Sequence, residues 1–191
     1  MSGKVRLTGE HFTHEVLWGT AKRFLATGVE QPRGSFYPLL AALVFGYFAF
    51  EAYLNAALED VAPDVWKDSR KFFAQGKYRG TLGKFEYLAE LSKYAVDKLQ
   101  RPFHTVRKLH EVRNLLAHAP VERFDVTVPV EKLDEPQPHP SVLHDYAAPE
   151  FADKALADVE ALLDGLQVAL VATFGDILIS DNYIDRQRQL H

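Results

Sequence analysis

From Leu40 to Ala57 the apolar side chains fall alternately three and four residues apart: Leu40, Leu43, Tyr47, Phe50, Leu54 and Ala57. Only a helix turns that spacing into one continuous face. Between Phe36 and Phe50 no residue is charged, and Glu51 closes the run. A helix that is apolar almost all round belongs at the centre of an assembly. The run is shorter than the ~20 residues a bilayer span needs, so it reads as a buried helix and no membrane association is expected.

The same spacing recurs after Pro149 in Leu156, Val159, Leu163, Leu166, Leu170 and Thr173, a helix expected to end near Gly175. Between these two long helices the pattern predicts shorter ones. Pro63 opens a helix holding Val65, Trp66, Phe72 and Phe73, and a loop with three glycines covers 75–83. The next helix carries Leu82, Phe85, Leu88 and Leu91 and reaches toward Ala95. Pro102 then stands in the favoured first-turn position of a helix that runs to His118 and stops at Pro120. Leu109, Val112 and Leu116 are its expected buried stripe. At the N-terminal end a helix is expected over 11–26, with Phe12, Val16, Arg23 and Leu17, Phe24 recurring at helical spacing, and with Gly28, Pro32 and Gly34 as its breakers. Residues 121–148 change character: 124–128 alternate like a short strand, and prolines at 129, 136, 138 and 140 mark a loop or small β-hairpin insertion. The expected fold is all-α: an up-and-down bundle of four to five main helices in one domain over 1–180, with a polar tail over 181–191.

The chain holds 191 residues and no cysteine, which excludes disulfide scaffolds, thiolate nucleophiles and Cys-based metal sites. The N-terminal residues are polar and read as no signal peptide, so a cytoplasmic location is expected. Net charge is −4, but it is uneven. Residues 1–66 carry −2, 67–113 carry +7 and 119–191 carry −9. The total argues against a general nucleic-acid coat, while the central basic block allows a local polyanion site. It also allows simple pairing with the acidic C-terminal third.

That basic block ends in the segment with the most chemistry. On a helix, Arg107, His110, Asn114 and His118 form one polar stripe, and Arg113 lies on its flank, about 140° around from His118. Arginine presents a planar fork that matches phosphate oxygens. Histidine exchanges a proton near neutral pH, and asparagine can orient either. One helix spaces these groups too widely to enclose a single phosphate; a second copy across a two-fold axis would close the site.

Arg113-Asn114-Leu115-Leu116-Ala117-His118 resembles the R-N-x-x-x-H form of the motif of HEPN domains (higher eukaryotes and prokaryotes nucleotide-binding). The stretches 50–55 and 84–88 are similar to that superfamily as well. The resemblance implies a metal-independent endoribonuclease without cofactor, acting on RNA as a homodimer, commonly a toxin or defence effector with an antitoxin protein as candidate partner. It assigns the scissile phosphate to Arg113, general acid–base chemistry to His118 and positioning to Asn114. The RNA 2′-hydroxyl would attack, leaving a 2′,3′-cyclic phosphate. One toxin subgroup carries a modifiable tyrosine two residues after the histidine; here that position is Pro120.

Plainer roles exist for the same residues. His118 could cap the helix C-terminus, although Asn114 is a poor interior helix former. Glu51 interrupts the most apolar helix, and either orients Arg113 or Asn114 from behind or reaches solvent. His110 lines the site or is solvated, and Arg107 is a substrate-binding candidate or a surface residue. His11 and His14 lie one turn apart but lack a third metal ligand, so both are expected in solvent. His110-Glu111 lacks the second histidine of a zinc protease motif, because Asn114 holds that place. Tyr47, Phe48, Phe50, Tyr53, Phe72 and Phe73 read as core or dimer surface, with an RNA-stacking platform as the alternative. The rivals to a ribonuclease are a non-catalytic HEPN-like RNA- or nucleotide-binding or protein-interaction module and a helical ligand-binding protein with an enclosed apolar cavity.

Overall fold

The computed structural model describes residues 12–118, 121–123, 125, 127, 129, 141–175 and 177. All regular structure among them is helical: α1 Thr13–Glu30, α2 Phe36–Val61, α3 Pro63–Lys67, α4 Ser69–Phe72, α5 Gly80–Leu91, α6 Phe103–His118, α7 Val142–Tyr146 and α8 Pro149–Phe174. His11, Pro120, the tail 181–191 and Phe124, Val126 and Val128 of the expected strand lie outside the described residues. Asp125 and Thr127 belong to no regular element.

Helix α2 is the hub, touching α1, α5, α6 and α8. Its whole expected stripe is buried, and Leu39, Ala42, Gly46, Ala49, Tyr53 and Leu58 are buried with it. By length and composition α2 could cross a membrane, yet more than half of that apolar window is covered by the other helices. Each fully covered Leu or Phe contributes ~1.5–3 kcal/mol, so α2 supplies much of the stabilisation of the fold. Helix α8 buries Leu156, Val159, Leu163, Leu166 and Leu170 as expected, while Thr173 stays at the rim and donates to the Ser92 carbonyl. Gly175 closes α8 at φ 82°, a conformation that favours glycine.

The first helix departs from expectation. It buries His14, Trp18, Ala21 and Gly28, whereas Val16 and Phe24 are exposed. Apolar residues occupy both faces of this segment, and the face that meets α2 is the one carrying Trp18. Gly28 does not break the helix. A Cβ there would stand 2.7 Å from the Leu39 side chain, so the glycine lets α1 and α2 approach closely. His14 is only 3% exposed, between the rings of Phe12 and Tyr53; the expectation that it is solvated is corrected by that packing.

Two other boundaries moved. The helix expected to reach toward Ala95 ends at Leu91, because Lys93 turns back at φ 59°. The Tyr94 N–H then donates to the Ala89 carbonyl and the Lys93 N–H to Glu90, a Schellman closure without glycine. The segment after Pro63 is two short helices, α3 and α4, rather than one. Within the expected insertion, α7 forms where Ser141 Oγ accepts from the Leu143 N–H at 3.1 Å, and the ring of its His144 packs on Phe36. Arg101, just ahead of α6, grips the buried Asp158 of α8 through two 2.8 Å hydrogen bonds. That clamp helps hold α6 in place.

Candidate functional site

Helix α6 buries Phe103, Thr105, Val106, Leu109 and Val112 against α2 and α8. Leu116, expected inside, is 38% exposed, because the last turn of α6 extends past the packed core. The polar stripe is therefore half-buried from Arg107 to Asn114 and ends exposed at His118.

The structure brings three of the expected residues into direct contact. Arg113 Nη1 donates to Asn114 Oδ1 at 3.0 Å, and Asn114 Nδ2 meets His110 Nε2 at 2.9 Å. The other imidazole nitrogen, Nδ1, bonds the hydroxyl of Tyr47 on α2. The Arg113 guanidinium also lies 6.0 Å from the ring centre of Phe48, which is 36% exposed, at the outer limit of a cation–π contact. No described carboxylate forms an ion pair with Arg113. One Nη1–H is engaged by Asn114, so further donors of the fork remain for an anion.

Glu51 joins this group indirectly. It accepts a 3.0 Å hydrogen bond from Thr81 Oγ1 at the start of α5, and its charge acts on both Tyr47 and His110. Glu51 makes no hydrogen bond to Arg113 or Asn114, whose bonds go to each other and to His110. On its other side Lys84 Nζ donates to Asn55 Oδ1 at 2.7 Å. Burial holds the Lys84 ammonium below its usual range, and the Glu51 charge opposes that fall.

Burial also lowers the His110 pKa, and the Arg113 charge lowers it further, against the weaker pull of Glu51 and Glu111. The imidazole is thus favoured in its neutral form. Burial raises the Tyr47 phenol well above its ordinary value, so that hydroxyl keeps its proton.

His118 stands exposed on the last turn of α6, with no hydrogen bond to a described residue, and Arg107 is half-buried and joins none of these contacts. The site is therefore a tight cluster of Arg113, Asn114 and His110 with an exposed histidine one turn beyond Asn114. Of the aromatic group, Tyr47, Phe50, Tyr53 and Phe73 are buried, while Phe48 and Phe72 are partly exposed. Sequence reasoning placed Tyr47 in the core and gave Thr81 no role. The only available signal was a hydroxyl inside an apolar stripe, which needs a partner when buried.

Elsewhere, a cleft of about 170 Å³ lies beside α5, floored by Phe85, Tyr94 and Phe103. Its rim charges pair with one another, Lys77 with Glu90 and Lys98 with Glu86. Pockets for drug-sized ligands usually occupy ~300–1,000 Å³. Among the described residues no three histidine or carboxylate side chains converge as a metal site requires.

Comparison with known proteins adds no relative: no family model matches the chain, and no curated protein or solved structure does so.

Proposed function

We propose that this chain is a HEPN-like, metal-independent endoribonuclease whose working site is shared between two copies. In this reading the five longer helices form an up-and-down bundle, and 121–148 is an insertion ahead of its last helix. The observation that carries the proposal is the state of α6: Arg113 is oriented by Asn114 and Phe48 without a carboxylate partner among the described residues, and His118 is exposed beyond it.

Arg113 holds the non-bridging oxygens of the scissile phosphate with its remaining donors. Asn114 has both ends of its amide engaged, so it positions Arg113 rather than the substrate. His118 of one copy removes the 2′-hydroxyl proton as that oxygen attacks phosphorus. His118 of the second copy protonates the leaving 5′-oxygen as the P–O5′ bond breaks, giving a 2′,3′-cyclic phosphate and a 5′-hydroxyl. Two copies are needed because Arg113 and His118 point about 140° apart on a single helix. A cytoplasmic toxin or defence role with an antitoxin partner belongs to the same reading and rests on the motif resemblance alone.

The test is RNA cleavage in EDTA by wild type and His118→Ala, with analysis of product ends. Wild type should leave cyclic phosphates, and the variant should lose roughly 10²–10⁴-fold, the usual weight of one acid–base group, while remaining a dimer. Arg113→Lys should also fail, since lysine lacks the planar fork. RNA binding without cleavage by any form would overturn the catalytic reading in favour of a non-catalytic binding module.

A further inference from the structure

We propose that the surface built by α4, the loop after it and the start of α5 binds single-stranded RNA, with Arg70, Lys71 and Arg79 on backbone phosphates and the Phe72 ring under a base. The choice of RNA rests on the function proposed above; the build of the surface does not.

Residues 67–84 carry six basic side chains and one acidic, Asp68. Among the described ion pairs only Arg101–Asp158 ties the basic block to the acidic C-terminal third. Lys67 and Lys77 are taken locally by Asp64 and Glu90. Lys84 is half-buried and donates to Asn55. Arg70, Lys71 and Arg79 are exposed and form no ion pair with a described residue. The fold brings these three together. The Gly80 N–H donates to the Phe73 carbonyl at 2.9 Å, which returns the loop to the end of α4. Arg79 is thereby set beside the helix that carries Arg70 and Lys71.

The same turn builds a ring stack. Phe72 and Tyr78 lie within 8° of parallel, with centres 6.3 Å apart, and Tyr87 of α5 stands edge-on to both at 5.3 Å. Phe73 is in the core, and Tyr78 and Tyr87 are half-buried, but Phe72 is left 40% exposed on the outside. A phenylalanine so placed gains little from burial. Flanked by cations, it offers what a strand with unpaired bases needs: a fixed π-face for stacking and charged donors for the backbone. A duplex hides its base faces and cannot use the ring.

This surface lies within reach of Arg113. Phe48, Glu51 and Asn55 share one face of α2 at three- and four-residue spacing. Arg113 lies beside Phe48, Thr81 bonds Glu51 and Lys84 bonds Asn55. Phe48 and Asn55 are about 10 Å apart along the helix axis. A strand whose phosphate rests on Arg113 is thus led along α2 to the start of α5, where it gains a second hold.

The test is fluorescence anisotropy of a short labelled 2′-O-methyl oligouridine, whose blocked 2′-oxygen cannot attack, titrated with the full chain at several salt concentrations. The triple variant Arg70→Gln, Lys71→Gln, Arg79→Gln should bind more weakly, with a log–log salt slope shallower by about 2, the share of three phosphates on a single strand. Phe72→Leu should weaken binding roughly 5- to 150-fold, the weight of one stacked base, with the slope unchanged. The triple variant Arg23→Gln, Arg33→Gln, Lys154→Gln removes the same charge from other exposed positions and should keep the wild-type slope. No binding by wild type, equal slope loss in both triple variants, wild-type affinity in Phe72→Leu, or a duplex bound as tightly as the single strand each overturns the proposal. Binding that depends on Phe72 and the three cations, with no cleavage of ordinary RNA, upholds the surface and defeats the ribonuclease reading. Cleavage by wild type that neither Phe72→Leu nor the α4–α5 triple variant weakens does the reverse.

Discussion

Gly83 sits inside α5, where helix propensity alone says that alanine should be better. Replacing an interior helical glycine by alanine gains about 1 kcal/mol. The surroundings reverse the sign. A Cβ at this position would lie 2.0 Å from the Tyr78 carbonyl carbon, 2.1 Å from its oxygen and 2.7 Å from its Cα. All three are backbone atoms, so no rotamer change relieves the clash. Tyr78 is also poorly free to retreat: its hydroxyl donates to Glu90 at 2.7 Å, and its ring packs on Phe72 and Tyr87. Ordinary contact needs a backbone shift of more than about 1 Å, and overpacking of this kind costs typically 1–3 kcal/mol, occasionally more. The steric loss lies at the upper end of that range, so Gly83→Ala should be less stable by about 2 kcal/mol net of the propensity gain. For a chain this long that is a fall in Tm of roughly 4–8 °C. Urea unfolding followed by far-UV circular dichroism measures it. A Gly83→Ala variant as stable as wild type would refute the claim that this close approach shapes the start of α5.

Other expectations follow from the same structure. Burial holds the His14 imidazole to about 4, down from 6.5. The folded chain is then neutral at a site where the unfolded chain binds a proton, so stability is full above pH 6.5. It should decline toward pH 4 by roughly 3 kcal/mol from this group, and His110, also lowered, adds to the same slope. Chemical denaturation across that range should show His14→Gln with a flatter profile than wild type; identical slopes would remove His14 as the cause. Arg101→Met strands the buried Asp158 carboxylate, 6% exposed, without its two charge-assisted bonds. The half-exposed arginine moderates the effect, and a fall in the urea midpoint is expected; a midpoint equal to wild type would show that the clamp adds no stability. On the ribonuclease proposal, Phe48→Ala removes the ring beside Arg113 and should raise KM for RNA by roughly two- to fivefold, the size of an exposed cation–π contact. Unchanged steady-state kinetics would exclude Phe48 from the site.

The contrast between α2 and α1 shows what could be read without a fold. The stripe from Leu40 to Ala57 has one apolar solution, so helix and buried face follow directly from spacing. Helix α1 has apolar residues on both sides, and its inward face depends on which partner it meets. The end of α5 was hidden for another reason: Lys93 adopts a conformation that usually calls for glycine, in a turn closed by the Lys93 and Tyr94 N–H groups on the Glu90 and Ala89 carbonyls.

The candidate site divides along the same line. Arg113, Asn114 and His110 are close in sequence, and helical geometry by itself predicts that they share one surface. Their assembly into an Arg–Asn–His cluster was therefore legible, as was the presence of a histidine one turn beyond. Tyr47 lies 63 residues from His110, and Thr81 lies 30 from Glu51. Those pairs exist only once α2, α5 and α6 pack together. Local spacing dictates which groups one helix can present. Which proton each group carries, and toward which neighbour it points, is decided by partners that only the tertiary structure brings within hydrogen-bonding distance.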